Sequence, residues 1–139
     1  MAEKQLEVFI ITPDATKQEQ YKYHGMADMV VLRCHTGDMG ILPGRTACSA
    51  TLDEGILRIF ENEAERKIAV LGGVFRFENE ALTLITQKAL LPGEIDIAMI
   101  EVQIHEIEAR KNAEADILKQ GELRTELGRL RLLLEVGIS

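Results

Sequence analysis

The sequence predicts a mainly β domain, an antiparallel sandwich or a barrel, followed by a two-helix hairpin. Three observations carry this. Short apolar runs separated by turn residues occupy the chain as far as Leu91. No helix-length segment lies between them, which argues against a parallel sheet with crossover helices. Beyond Pro92-Gly93 there is no further proline, and apolar residues recur at steps of three and four.

LEVFII (6–11) is apolar on both faces and stops before Pro13, as a buried strand does. MVVLRC (29–34) reads the same way. TGDMGILPGRT (36–46) is different, because three glycines and Pro43 surround one short apolar run. The expectation is a tightly turned loop that carries Met39, Ile41 and Leu42 outside any regular strand. ILRIF (56–60) follows Gly55, and ENEAERK (61–67) reads as a solvated hairpin loop. RKIAVL (66–71) runs into Gly72-Gly73, which fits a bend or bulge before the next strand, VFRFE (74–78). Phe75 and Phe77 share one face of that strand. LTLIT (82–86) follows the turn ENEA.

In the last third, Ile97, Ile100, Ile104 and Ile107 form one stripe of an amphipathic helix, which Ala115 and Leu118 extend. Gly121 interrupts the run, and Leu123, Leu127, Leu130 and Leu134 form a second stripe. Two stripes around a glycine predict a helical hairpin that turns there. Both stripes are narrow, so each helix needs something to pack against.

Composition removes several functions. The net charge is -7, only 4% of residues are aromatic and there is no tryptophan. Such a chain lacks both the basic footprint and the stacking surfaces of a nucleic-acid binder. No apolar run approaches the ~20 residues that span a bilayer, so membrane association is expected only through partners. The start, MAEKQLEVFIITP, has no basic region of a signal peptide and is not rich in arginine and serine like a transit peptide. The expectation is a bacterial protein. Cys34 and Cys48 read as reduced thiols of an intracellular chain.

No catalytic constellation emerges. Cys34 and His35 are neighbours that a strand would point to opposite faces, which prevents a nucleophile–base pair. Two cysteines and three scattered histidines (His24, His35, His105) do not make a metal site. The glycine turn has no GKS or GKT after it, and LGGVF lies between strands, so neither is a nucleotide fingerprint. The chain is therefore expected not to be an enzyme and to carry no cofactor.

The segment TGDMGILPGRTACSATLDEGILRI resembles a region of the epsilon subunit of F-type ATP synthase that reads, in family terms, GE-x-G-I-x-PGH. ITPD (11–14), VLGGVFRFENEALTLIT (70–86) and KALLPGEID (88–96) resemble further segments of that family in the same order. The resemblance covers nearly the whole chain. It implies a sandwich of about ten strands in residues 1–89 and a regulatory helical hairpin in residues 90–139. It also implies a non-catalytic subunit of the central stalk that couples ion flow to ATP synthesis. The implied partners are the gamma subunit and the c-ring, with the alpha and beta catalytic subunits in an inhibited state. The implied place is the cytoplasmic face of the bacterial membrane.

The resemblance further implies site residues. Asp38, Met39, Ile41, Leu42 and Arg45 fall where the family meets the ring and gamma, although Ile41 and Leu42 equally suit a sandwich core. Arg45 replaces the family's usual histidine. Some bacterial relatives bind ATP through an IDxxRA pattern, and here the stretch is Ile95-Asp96-Ile97-Ala98-Met99-Ile100. Asp96 remains, but methionine at the arginine position cannot pair with a phosphate. Weak or absent ATP binding is therefore expected, which disfavours the alternative of a nucleotide-sensing module. Arg110, Lys111, Arg124, Arg129 and Arg131 match the family's basic hairpin residues that meet the catalytic subunits. The same cations also suit an ordinary solvated helix face.

Overall fold

Alternation builds the strands. Leu6, Val8 and Ile10 are fully buried, while Glu7, Phe9 and Ile11 between them are half-buried on the opposite face. The computed structural model describes residues 4–13 and 21–139. Among these residues the chain forms eight strands: β1 (Leu6–Ile11), β2 (Tyr23–Ala27), β3 (Met29–Cys34), β4 (Gly37–Ile41), β5 (Cys48–Glu61), β6 (Ala64–Glu78), β7 (Ala81–Ile85) and β8 (Ala89–Leu90). A 3-10 turn at Pro92–Glu94 precedes α1 (Ile97–Ala113) and α2 (Ile117–Gly137). The turn expected at the end of ITPD includes Asp14, which lies outside the described residues. Two compact units result, residues 1–89 and 90–139.

The first unit is a β-sandwich. Its hydrogen-bonded order is β2-β1-β7-β6-β5-β3-β4, with β8 against β6. Val30, Leu32, Leu57, Ile68, Phe75, Phe77, Leu82 and Leu84 fill the core with those of β1. One pair departs from the antiparallel pattern: β1 and β7 are parallel, with Glu7 opposite Ala81. Parallel neighbours need a long connection, and here the whole of β2 to β6 supplies it.

RKIAVL and VFRFE are one strand, β6, which bends without breaking. Gly72 and Gly73 take φ of 86° and 119° at the bend. A Cβ on Gly73 would overlap the carbonyl oxygen of Ile85, so the close approach of β7 needs glycine there. β6 pairs with β5 on both sides of the bend, and beyond it Val74–Glu78 also pair with β7.

ENEAERK is mostly strand as well. Asn62 and Glu63 alone turn the chain, at φ of 52° and 68°, and Glu61 already faces Ala64. Asn79 and Glu80 repeat the arrangement between β6 and β7 at 53° and 61°. Positive φ at both central residues is the tight hairpin turn that matches strand twist.

In the second unit the hairpin does not turn at Gly121. The connection is Glu114–Asp116, and Gly121 lies inside α2. Asp116 explains the difference: its carboxylate accepts the Leu118 N–H at 2.9 Å and starts α2 one turn earlier. Gln120 Nε2 then donates to the Glu114 carbonyl at 2.6 Å and closes the connection. Interior glycine costs about 1 kcal/mol, which an amphipathic helix absorbs by packing. Ile107, Leu127 and Leu130 form the buried seam, flanked by Ile100, Ile104 and Leu123. No helix among the described residues is long and apolar enough to cross a membrane.

Candidate contact surface

GDMGI is a strand and not a loop. β4 pairs residue by residue with β3, from Val30 opposite Ile41 to Cys34 opposite Gly37. The two glycines read as breakers, but backbone pairing on β3 outweighs their low strand preference. Beyond β4 the turned part is Leu42–Arg45. Pro43 occupies its second position, and Gly44 follows at φ of 84°. The Arg45 N–H donates back to the Leu42 carbonyl at 3.2 Å. These are the marks of a type II turn.

Strand pairing then decides which side chains face outward. Ile41 is completely buried and has no surface to offer a partner, so its expected contact role is withdrawn. Leu42, one residue later, is 55% exposed because the turn releases it from the alternation of β4. Asp38 is exposed and accepts from Arg33 Nη1 across the hairpin at 3.3 Å. Met39 is half-buried, with its Sδ 3.9 Å from Arg45 Nη2. Arg45 lies back along β4, its Nη1 3.4 Å from the Gly40 carbonyl. The turn therefore gathers exposed Leu42 and Arg45 with half-buried Met39 into one small surface without Ile41, while Asp38 projects from the opposite face of β4.

Sequence reasoning missed one residue of this surface. Glu80, from the β6–β7 turn, accepts the Gly44 N–H with both carboxylate oxygens, at 2.8 and 3.1 Å. Nothing in ENEA marks this reach, since the two turns are joined only in three dimensions.

The remaining candidates are scattered. Asp96 caps α1, accepting the Met99 N–H at 3.2 Å. Arg110 and Lys111 sit in the last turn of α1, where the helix dipole favours cations. Arg131 pairs with Glu108 at 3.0 Å and ties α2 to α1, while Arg124 and Arg129 lie on the exposed side of α2. Cys34 is buried and Cys48 half-buried. Burial pushes the Cys34 thiol up from its ordinary range, and the carboxylate of Asp53 adds to the effect.

Residues 5–92 match the family model of the ATP synthase delta/epsilon chain β-sandwich domain. The chain belongs to this family. The match contains the whole candidate surface, from Met39 to Glu80, and stops before α1. An ATP synthase epsilon chain of Alkalihalophilus pseudofirmus is 32% identical over 108 residues, covering 78% of this chain and 77% of that one. One from Synechococcus sp. (strain CC9605) is 37% identical over 83 residues, covering 60% of this chain but only 61% of its relative. The shared region thus spans less than two thirds of that relative. Among solved structures, a chain of the Euglena gracilis mitochondrial ATP synthase (OSCP/F1/c-ring) superposes with a TM-score of 0.74 at 20% identity, covering 97% of this chain and 82% of the other. At that identity the likeness is one of fold.

Proposed function

We propose that the chain is the epsilon subunit of an F-type ATP synthase, a non-catalytic part of the central stalk that couples ion flow to ATP synthesis. The observation that carries this is the family match across the entire sandwich. The solved relatives belong to an OSCP/F1/c-ring assembly and to a central stalk with its c-ring, which supports the gamma subunit and the c-ring as partners. The Leu42–Arg45 turn with Met39 is the contact surface in this reading, and Asp38 stands on the other face of β4. Its rigidity suits a joint under torque, because contacts are presented without an ordering cost. The chain then sits at the cytoplasmic face of a bacterial membrane, held there by its partners.

The hairpin is the regulatory part. Arg110, Lys111, Arg124, Arg129 and Arg131 meet acidic segments of the alpha and beta subunits when it inhibits hydrolysis. The test is ATP hydrolysis by an epsilon-depleted catalytic head with gamma, titrated with the chain and with its Lys111→Glu/Arg124→Glu variant. Inhibition by the parent chain that the variant loses supports the brake. Association without inhibition leaves a structural coupler, and no association removes the assignment.

ATP sensing is the second reading. Asp96 spends its carboxylate on the α1 cap and Met99 offers no cation, so millimolar ATP is expected to give no saturable heat in calorimetry.

A further inference from the structure

We propose that Glu80 is the positioning residue of the Leu42–Arg45 turn and holds it in the shape its partner meets; this rests on reading that turn as contact surface. The Gly44 N–H projects from the turn, because the internal bond uses the Arg45 N–H instead. Both carboxylate oxygens of Glu80 converge on that outward N–H. Glu80 is itself anchored, since its backbone carbonyl accepts the Glu7 N–H at 2.8 Å. One residue thereby links β1, the β6–β7 turn and the turn after β4.

The fold contains its own control. Glu63 occupies the same place in the other Asn-Glu turn, at φ of 68° against 61° for Glu80. Glycine is favoured at both positions. Glu63→Gly and Glu80→Gly therefore relieve the same backbone strain, but only the second takes a carboxylate away from Gly44. A residue serving stability alone would behave alike at both places.

The experiment compares the full-length parent with Glu80→Gly, Glu80→Gln, Glu63→Gly and Leu42→Ala. Amide exchange of Gly44 is followed by NMR, thermal stability by calorimetry and association with a gamma–c-ring assembly by titration. Glu80→Gly is expected to keep or raise the melting temperature, to speed Gly44 exchange by about tenfold and to weaken association as Leu42→Ala does. Glu80→Gln keeps one acceptor oxygen and restores part of both effects. Glu63→Gly raises the melting temperature and changes neither. Unchanged Gly44 exchange in Glu80→Gly overturns the proposal. Full association by Glu80→Gly beside weakened association by Leu42→Ala overturns the positioning role alone. Full association by Leu42→Ala removes the contact reading, and the proposal falls with it.

Discussion

Glu63 holds a left-handed backbone conformation in which an L side chain crowds the carbonyl that follows. Glu63→Gly is expected to stabilise the protein by about 0.5–1 kcal/mol, the relieved crowding less the entropy of a freer unfolded chain, and a rise in denaturant midpoint checks it. Ile41 and Leu42 make the opposite point about neighbours. Ile41→Ala empties a fully buried position and should cost about 2–5 kcal/mol. Leu42→Ala should shift folding stability by less than about 0.5 kcal/mol while weakening association. The sequence shows two adjacent apolar residues, and only the last register pair of β4, Ile41 opposite Val30, tells which one faces inward. Cys34 gives a pH-dependent case. Its raised pKa favours the neutral thiol in the fold, so that contribution is complete at neutral pH. It is lost as pH climbs past the ordinary cysteine range and the unfolded chain ionises first. Native-state thiol titration at mildly alkaline pH should label Cys48 before Cys34; equal rates would contradict the burial of Cys34.

The strands that the sequence reveals are those whose side chains are apolar enough to mark them: β1, β3, β7, the later part of β5 and, as two pieces, β6. β2 (YHGMA) and β4 (GDMGI) carry glycine and outward polar residues. They exist because a neighbour offers free backbone groups, which no local pattern records. The same holds for the start of β5, whose Ser49 and Thr51 point outward while Leu52 turns in. The helices were legible by period but not by boundary. Gly121 reads as a break, whereas a capping aspartate five residues earlier, Asp116, is the true start of α2. Since a Cβ at Gly121 meets open space, Gly121→Ala should stabilise α2 by roughly 1 kcal/mol, visible as a higher helical melting temperature. A destabilised variant would mean that the chain bends at Gly121 after all.

Seen whole, the chain is acidic, with a net charge of -7, yet its hairpin keeps Arg110, Lys111, Arg124, Arg129 and Arg131. The family was readable because its motifs lie on the sandwich, where turn geometry demands particular residues such as Pro43 and Gly44. The candidate surface is only partly readable, because Glu80 reaches Gly44 from a distant hairpin. The pairing of β5 with β6 has a separate consequence for how the molecule comes into being. These strands zip outward from Asn62-Glu63, so every rung from Glu61–Ala64 onward closes only a short loop. The parallel pair of β1 and β7 must instead bring Glu7 to Ala81 across most of the sandwich. Assembly is therefore expected to begin in the long bent hairpin and end when β1 docks. Substitutions near Asn62 should then change the rate of folding, and those in β1 chiefly the rate of unfolding.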